Sequence, residues 1–369
     1  MNINRIKKYS IIAIKKIINH IQTDIFLYTG MWSPKPMKIY YLLTNKCNYQ
    51  CIMCPQWKCG LTEDPKTYIG EDEVKRVIDE AVEMGIYEFG ISGGETLIYH
   101  KKMFNLLEYA NRKGLYTHFV TNGALLSKDY IQKYNDMGGG HISLSIDAVG
   151  EKHDELRGMP GAYGAIEHVL DTFKHNSFPN ILLKINTVLS GGNLDNVIGV
   201  LKLAIQNNLV IFVQPYDVYD YDKKLTPGEK EQKFPLWVKQ SQHEQLKKVV
   251  EYMVELKRKY PQILLNEEKH IRAMYDYFVT GKVDRTCFAG IDNISIMPNG
   301  KISFCKYGEY ADIRNQSLKQ FLESIGRKKV VKDSLVCKHG CLLSCMFRPS
   351  FGEMLFNGPR QFLKLVKSK

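Results

Sequence analysis

The stretch TNKCNYQCIMCP, residues 44–55, follows a short apolar run, IYYLL at residues 39–43. An apolar run of this length predicts a buried strand. The loop after it carries Cys47, Cys51 and Cys54, at the spacing C-x3-C-x2-C. Three thiolates on one tight loop can bind three irons of a cubane iron–sulfur cluster and leave the fourth iron open to a small molecule. A structural zinc site would need a fourth ligand, for which Cys59 is the nearby candidate.

Strand-like and helix-like segments alternate after this loop. Strands are predicted at residues 39–44, 87–92, 116–121, 141–147, 182–188 and 210–215. Helices are predicted between them at residues 71–84, 102–113, 127–137, 161–175 and 194–207. Alternation of this kind favours a parallel sheet curved into an open barrel. The fold class expected is therefore α/β, a partial (β/α)6 barrel, with a small cysteine-rich α+β module after it.

Polar residues gather where the predicted strands end. They are Gly93-Gly94-Glu95 after strand two, Asn122 after strand three, Ser143, Ser145 and Asp147 on strand four, Asn186 on strand five, and Gln214 on strand six. In parallel barrels, sites form at the C-terminal ends of the strands. The three residues of strand four are two positions apart and share one face. The sequence therefore predicts one polar rim that faces the cysteine loop.

Three features together resemble the radical S-adenosylmethionine (SAM) superfamily. They are the C-x3-C-x2-C spacing, the Gly93-Gly94-Glu95 stretch, and HISLSID at residues 141–147 followed by Arg157. The chain departs mildly from the pattern at Met53, which is often aromatic in the family, and at Thr96, which is usually proline. The resemblance covers most of residues 37–350. It implies a 4Fe–4S cluster on Cys47, Cys51 and Cys54, with SAM bound to the open iron.

The resemblance also implies which residues meet SAM. The Gly-Gly-Glu stretch would lie at the methionine amino group, with Glu95 near its charge. Ser145 and Arg157 match positions that hold the carboxylate in relatives, and an arginine suits a carboxylate bidentately. The ribose hydroxyls would meet Asn122, Ser143 and Asp147. The simpler interpretations are a strand-end turn residue for Asp147 and a surface ion pair for Arg157.

The activity implied by the family is radical chemistry on an unactivated carbon. A reduced cluster donates one electron to SAM, which breaks into methionine and a 5′-deoxyadenosyl radical, and this radical abstracts a hydrogen atom from the substrate. An electron donor such as flavodoxin or ferredoxin is implied as a partner. The resemblance thus implies an enzyme, of the oxidoreductase or the transferase type. The protein positions the cofactor and excludes water and oxygen.

A second group of cysteines begins at Cys287. Twelve residues, Gly300 and four further residues separate it from Cys305, and the Asn299-Gly300 pair predicts a hairpin between them. The C-x12-G-x4-C element resembles the opening of the auxiliary-cluster modules called SPASM and twitch. The remaining cysteines, which do not follow the usual spacing of those modules, are Cys337, Cys341 and Cys345. We expect one auxiliary 4Fe–4S cluster on Cys287, Cys305 and two of these three, with zinc as the alternative, because four thiolates also suit zinc.

Both ends of the chain are basic, and Lys+Arg exceed Asp+Glu by 51 − 39 = 12. Residues 1–29 predict an amphipathic helix with Ile11, Ile14, Ile18, Ile21 and Ile25 on one face. This helix either packs on the enzyme body or lies on an anionic membrane surface. The charge surplus indicates an anionic partner or simple solubility. A nucleic-acid partner is not favoured, because no aromatic and basic stacking platform is recognisable.

The chain divides into a helix and linker (1–36), the barrel (37–220), a helical connector (221–285), the cysteine module (286–350) and a basic tail (351–369). A membrane-spanning helix would need roughly 18 or more consecutive apolar residues, and the sequence contains no such run. No cleavable signal peptide is recognisable, and the cysteines cluster at metal-ligand spacings. We therefore expect a reduced cytoplasmic compartment, peripheral at the membrane if the basic ends bind lipid.

The sequence does not identify the substrate. Residues 1–36 are too short for a peptide-binding winged-helix domain, which favours a carbohydrate, a lipid-linked substrate or another small metabolite. A peptide-modifying maturase is the alternative within the family. The alternative of another class is a non-catalytic, metal-bound scaffold that binds a partner through its cysteine modules and basic ends.

Overall fold

The computed structural model describes residues 3–30, 34–218, 225–283, 286–305, 308–337, 341–343 and 352, with the backbone alone for residues 3–9 and 325. Two sequence predictions fall outside this range. Cys345 lies outside the described residues, and so does the basic tail except for residue 352.

The described strands form a single nine-stranded sheet, in the order β6-β5-β4-β3-β2-β1-β7-β8-β9. Strands β1 to β7 are joined by parallel pairings, whereas β8 and β9 are antiparallel to their neighbours. The strands are β1 (Lys38–Thr44), β2 (Glu88–Gly93), β3 (Tyr116–Thr121), β4 (Gly140–Ser145), β5 (Ile181–Leu189), β6 (Val210–Pro215), β7 (Asn293–Ile296), β8 (Lys301–Cys305) and β9 (Gly308–Asp312).

Helices follow the barrel strands in alternation. They are α1 (Ile3–Thr29), α2 (Gln56–Thr62), α3 (Glu71–Glu83), α4 (His100–Arg112), α5 (Lys128–Asp136), α6 (Glu151–Arg157), α7 (Ala162–His175), α8 (Leu194–Gln206), α9 (Pro227–Lys233), α10 (His243–Lys259), α11 (Glu268–Thr280), α12 (Leu318–Glu323) and α13 (Ile325–Leu335). Short 3₁₀ turns cover Pro65–Thr67, Thr96–Tyr99 and Gln240–Gln242. The predicted α/β fold with a partial (β/α)6 barrel is confirmed. The predicted strands and the five helices between them end within about two residues of the observed ones, which is the usual uncertainty of element ends.

The sequence dictates these elements through two periodicities. In α3 the buried residues Val74, Val77, Ile78 and Ala81 step by three and four, and the first turn is acidic, which complements the helix dipole. In β5, buried and partly exposed residues alternate along all nine positions. The buried side of each barrel strand therefore packs under the helices, and the other side lines the barrel interior.

Strand β3 shows which side of the sheet faces the helices and which side faces the barrel interior. Phe119 contacts Phe104 of α4 and Tyr134 of α5, so its face is covered by helices. His118 and Val120, one position away on either side, point to the interior. The interior residues of β1, β4 and β5 are mostly partly exposed, whereas the helix-facing residues of the same strands are buried. The barrel interior, which we call the lumen, is therefore less completely filled than the layer between the sheet and the helices.

Helix α1 packs at the end of the barrel where the strands begin. Ile12 is buried against Tyr87 and Met37, and the side-chain amide of Asn19 donates to the Lys35 carbonyl at 2.9 Å. The predicted isoleucine face is not the one used, because Ile11, Ile14, Ile18 and Ile21 are each 45–55% exposed. The helix therefore packs on the body, through a different face. In the part of the chain that the structure describes, no helix is long and apolar enough to cross a bilayer.

The cysteine module extends the barrel sheet beyond β1. Strand β7 runs parallel to β1, with Tyr41 opposite Ile296, and β8 and β9 follow it by antiparallel pairing. The predicted hairpin at Asn299-Gly300 is present, and Gly300 has the positive φ of +83° that a tight turn asks of glycine. The predicted domain limits stay predictions.

Candidate cofactor site

The cysteine loop leaves the end of β1 and is fixed by its own backbone. The backbone N–H of Tyr49 lies 3.4 Å from the Cys47 sulfur, and the Cys54 N–H donates to the Cys51 carbonyl at 3.2 Å. The Trp57 indole N–H donates to the same carbonyl at 3.2 Å. Cys51 is buried, and Cys47 and Cys54 are partly buried beside it in one small apolar cluster. The structure thus brings the three predicted ligands together.

Gly93 and Gly94 hold this loop against the end of β2. The Gly94 N–H donates to the Thr44 carbonyl at 2.6 Å, and the Glu95 N–H donates to the Lys46 carbonyl at 2.9 Å. A Cβ atom on Gly93 would lie 2.3 Å from the Thr44 oxygen, and one on Gly94 would lie 2.0 Å from the Lys46 oxygen. The backbone of the cysteine loop therefore occupies the space that a Cβ atom would need at both glycines.

Glu95 joins the ends of β2 and β3. Its carboxylate is buried and accepts hydrogen bonds from the Leu97 N–H at 3.1 Å, the Thr121 hydroxyl at 2.8 Å and the Asn122 N–H at 2.8 Å. Burial raises the pKa of Glu95, although the three donors and Arg157 oppose the shift. The contact of Glu95 with the amino group of SAM stays a prediction.

Asn122 connects the end of β3 to the cysteine loop. Its side-chain amide donates to the Asn48 side-chain oxygen at 2.8 Å and lies 4.0 Å from the Cys47 sulfur. Its own side-chain oxygen accepts the Ala124 N–H at 3.0 Å. Asn48 was not singled out from the sequence, although its place inside the C-x3-C spacing is a signal that it lies next to the ligands.

Sequence reasoning also missed a polar network below the loop. The Asn45 side-chain amide donates to the Glu63 carboxylate at 2.7 Å, and the Tyr68 hydroxyl donates to the same carboxylate at 2.9 Å. The Tyr68 hydroxyl is also 3.1 Å from the Thr44 hydroxyl. These residues are up to 24 positions apart, so no local motif reveals them.

Asp147 and Arg157 form a buried ion pair beside the second cysteine. The Arg157 guanidinium lies 2.7 Å from the Asp147 carboxylate and 3.8 Å from the Cys51 sulfur. The other Asp147 oxygen accepts the Val188 N–H at 2.8 Å. Burial raises the pKa of Asp147, and the Arg157 charge opposes that shift. The pair is buried and is therefore not the surface ion pair of the simpler interpretation, and contacts of either residue with SAM stay predictions.

Ser143 and Ser145 lie on the lumen face of β4. Ser143 is buried, and Ser145 is partly exposed opposite Asn186 of β5. Both therefore line the interior near the rim, as their spacing predicted, and their contacts with SAM stay predictions.

Three cysteines of the second group lie within electrostatic range of Tyr310. Burial raises the pKa of Tyr310, and Cys305, Asp333, Cys287 and Cys337 raise it further. Cys287 and Cys341 are buried, and Cys305 and Cys337 are partly exposed. Four of the five predicted ligands of the module thus lie within the described residues.

The donor atoms fit an iron–sulfur cluster. A zinc ion needs four donors at about 2.0–2.3 Å from one point, whereas each iron of a cubane takes its own thiolate. Among the described residues, no three Cys, His, Asp or Glu side chains converge closely enough to hold a single ion. Burial raises the pKa of Cys47 to about 11, so ligation would displace a proton from this thiol. The Arg157 cation would offset part of the resulting negative charge at Cys51.

Comparison with known proteins agrees with this chemistry. The Radical SAM superfamily profile matches residues 41–204. An AdoMet-dependent heme synthase of Methanosarcina barkeri is 31% identical over 201 residues, which are 53% of this chain and 56% of that protein. A PqqA peptide cyclase of Bradyrhizobium diazoefficiens is 27% identical over 171 residues, 46% of this chain and 43% of that protein. The chain thus spans about half the length of these two relatives.

A solved structure shows that the likeness extends to the fold. Streptococcus suis SuiB bound to S-adenosylmethionine superposes with a TM-score of 0.60 at 17% identity, over 84% of this chain and 71% of that chain. The superfamily match supports SAM and a 4Fe–4S cluster as the cofactors of residues 41–204. Residues 41–204 of the chain therefore form a radical SAM domain.

Proposed function

We propose that this protein is an enzyme that reductively cleaves SAM and abstracts a hydrogen atom from an unactivated carbon of its substrate. The cluster and SAM supply the one-electron cleavage of a carbon–sulfur bond when they are bound. The observation that carries the proposal is the loop of Cys47, Cys51 and Cys54, which the ends of the neighbouring strands β2 and β3 hold in place.

The surrounding residues would act by positioning. Gly93 and Gly94 set the distance between the loop and β2, and Asn122 fixes the loop from β3. Arg157 places a positive charge next to Cys51, and Asp147 orients that guanidinium. Ser145 lines the lumen and is partly exposed, so it is available to a bound SAM molecule, as the family pattern implies.

We further propose that the second cysteine group holds an auxiliary 4Fe–4S cluster. The surroundings of Tyr310 favour Cys287, Cys305 and Cys337 as ligands, and the burial of Cys341 favours it as the fourth. Such a cluster would accept an electron from the substrate radical or orient the substrate. Both clusters would require a reducing compartment and a donor such as flavodoxin or ferredoxin.

For the substrate we propose a small metabolite bound in the lumen, with carbohydrate and lipid-linked molecules included in this class. The partly exposed interior faces of β1, β4 and β5 support this choice. A peptide substrate is the second candidate, and the matched PqqA peptide cyclase favours it.

The deciding experiment measures 5′-deoxyadenosine released by anaerobically reconstituted protein with SAM and dithionite. We expect release from the wild type and none from Cys51→Ala. Cys59→Ala is the matched control, because Cys59 is an exposed cysteine only five residues after Cys54. The control should release 5′-deoxyadenosine at the wild-type rate.

Iron content tests the auxiliary cluster in the same preparations. The wild type should hold about eight irons per chain, as two four-iron clusters require. Cys287→Ala should hold about four and still cleave SAM. Equal release from the wild type and Cys51→Ala would contradict the proposal. Failure of the wild type both to bind SAM and to release 5′-deoxyadenosine would favour a metal-bound scaffold.

A further inference from the structure

A second set of ionisable side chains lies inside the barrel, towards the end that α1 covers. We call it the lumen array, and it consists of Lys38 of β1, Glu88 of β2, His118 of β3, His141 of β4 and Lys184 of β5. Lys38 pairs with Glu88 in register, and His118 pairs with His141. Five neighbouring strands thus each contribute one ionisable residue near their beginnings.

The array is packed in a defined arrangement. Glu88 lies 3.4 Å from the His118 Nδ1 atom and 3.9 Å from the Lys38 ammonium. The rings of His118 and His141 stack at 4.3 Å with an interplanar angle of 7°. A Cβ atom on Gly90 would lie 2.2 Å from the His118 Nε2 atom, so the glycine makes room for the imidazole. Tyr40 meets the same imidazole edge-on, with ring centroids 5.4 Å apart.

Three members of the array are not fully covered. Lys38, His141 and Lys184 are partly exposed, whereas the residues next to them in sequence, such as Ile39, Ile142 and Leu183, are buried under the helices. A ligand inside the barrel would therefore meet side chains that the described residues do not cover completely.

The array carries more positive than negative charge. Lys38 and Lys184 are two cations, Glu88 is the single carboxylate among the five, and Lys16 of α1 lies within electrostatic range of Glu88. Burial, and then the charge of Lys38, lower the pKa of Lys184 to about 8. Burial likewise lowers the pKa of His118 to about 4 and holds the pKa of His141 well below its usual value, so both imidazoles are neutral near pH 7. A charge kept from water is stable only with a partner. Lys184 lies over the Phe212 ring of β6, 5.5 Å from its centroid, and Glu88 is the one carboxylate of the array, so a carboxylate is the ligand group that would suit this lysine.

Between the array and the rim, apolar side chains line the interior face on β1, β3 and β6, and Ser143 and Asn186 lie on it in β4 and β5. Leu42 of β1, Val120 of β3 and Phe212 of β6 are partly exposed there. On β4, His141 and Ser145 share the lumen face and are four residues apart, which is about 13 Å along a strand. A molecule that spans this distance would meet apolar walls first and the array at its far end.

We propose that the lumen array binds a carboxylate on the substrate. The substrate is then an elongated, largely apolar molecule whose carboxylate lies roughly 13 Å from the carbon that reacts at the rim. The position of the reacting carbon rests on the proposed function, whereas the carboxylate site rests on the array alone.

The test is calorimetric titration of the reconstituted full chain with octanoate, an apolar chain that ends in one carboxylate. Octanoate should bind to the wild type, and octylamine, which has the same chain and the opposite charge, should not. Lys184→Met should weaken octanoate binding at least tenfold. Lys202→Met is the matched control, because Lys202 is exposed on α8, and it should bind octanoate like the wild type.

Glu88→Gln distinguishes a specific carboxylate site from a general loss of stability in the variants. Removing the one carboxylate of the array should tighten octanoate binding several-fold, which a merely destabilised protein would not do. A peptide with a single glutamate, acetylated and amidated at its ends, tests the other source of the carboxylate. Competition of this peptide with octanoate would place the carboxylate on a peptide, and its failure to compete would place it on a small molecule.

The outcomes for the site and for the enzymatic function are separate. Absence of octanoate binding to the wild type, equal affinity in Lys184→Met, or weaker binding to Glu88→Gln would each overturn the site. SAM binding and release of 5′-deoxyadenosine are measured without octanoate, and together they decide the proposed function. Octanoate binding by a protein that neither binds nor cleaves SAM would therefore support the carboxylate site and contradict the enzymatic proposal.

Discussion

The two ends of the barrel both carry polar side chains, but they use them differently. At the rim, the Glu95 carboxylate accepts a hydrogen bond from the Asn122 N–H, and the Asn122 side-chain amide donates to Asn48 of the cysteine loop. The Asp147 carboxylate accepts a hydrogen bond from the Val188 N–H of β5. At the opposite end, Glu88 and His118 meet mainly other charged or aromatic side chains. The rim is therefore held by directional bonds, and the lumen array is held by charge and ring stacking.

This difference predicts which end of the barrel keeps a fixed geometry and which end responds to a ligand or to pH. Backbone hydrogen bonds fix a position, which suits a loop that must present three thiols in one geometry. Ionisable groups that are packed together away from water respond to a ligand or to pH. The predictions below test the contrast between a fixed rim and a responsive array.

The largest effect is expected from Arg157→Met at the rim. The change leaves the buried Asp147 carboxylate without its cation, which should lower the free energy of unfolding by about 3–5 kcal/mol. Urea unfolding measures it. Arg258→Met is the matched control, because Arg258 pairs with Glu268 at the exposed surface and should cost no more than about 1 kcal/mol. Similar losses in both variants would mean that the rim pair is not a buried anchor.

The pH dependence of stability tests the array. The pKa of His118 is near 6.5 in the unfolded chain and about 4 in the folded protein, so between these values the unfolded chain binds the extra proton. Stability should therefore fall as pH falls from 6.5 to 4.5. His118→Gln should remove about 2–3 kcal/mol of that fall, as measured by urea unfolding at several pH values.

The other charged groups that face His118 stay in that variant, and they are Glu88, His141, Lys38 and Lys184. Acid sensitivity that arises from them should therefore persist in His118→Gln. His175→Gln is the control at the surface, where the histidine side chain is 64% exposed, and its acid profile should match the wild type. An unchanged profile in His118→Gln would mean that His118 does not contribute to the pH dependence of stability.

Gly94→Ala tests how tightly β2 holds the loop. The new methyl group would overlap the Lys46 carbonyl, so we expect the free energy of unfolding to fall by about 2–3 kcal/mol and the iron content to fall with it. Gly164→Ala in α7 is the control, because nothing lies within 4 Å of the added atom. It should stabilise the helix by up to about 1 kcal/mol. Normal stability and iron content in Gly94→Ala would show that the loop can move away.

The smallest effect is expected at α1. Ile12→Ala removes a buried side chain and should lower the free energy of unfolding by about 2 kcal/mol. Ile18→Ala removes a half-exposed one and should change it by less than about 0.5 kcal/mol. Thermal unfolding of the two variants compares the faces directly. A larger loss of stability in Ile18→Ala than in Ile12→Ala would mean that α1 packs through the isoleucine stripe instead.

The sequence was a good guide to the rim because its signals are contiguous. The cysteine spacing, Gly93-Gly94-Glu95 and the β4 stretch each lie within a few residues, and their alternation with helices predicted the barrel. The sequence did not reveal that the room beside Gly94 is filled by protein, or that Arg157 and Asp147 pair. A glycine in the sequence shows that a Cβ atom is absent, but it does not show whether a ligand or a backbone carbonyl fills the space beside it.

The lumen array and the packing of α1 were beyond sequence reasoning for other reasons. The array has one residue on each of five strands, between Lys38 and Lys184, so no local sequence motif predicts it. On α1 the isoleucine stripe dominates the periodicity, yet Ile12, outside that stripe, is the residue buried against Tyr87. Apolar periodicity predicts that a helix has a face, and the docking partner decides which face is used.

The pairing of β7 with β1 has a consequence for anyone who dissects this protein. Strand β1, with the sequence KIYYLLT, is apolar and aromatic, and it is paired on one side by β2 and on the other by β7. Truncation before residue 286 would turn it into an open sheet edge, and long apolar edges are templates for aggregation. A barrel expressed without its cysteine module should therefore precipitate, however complete its own cofactor loop is.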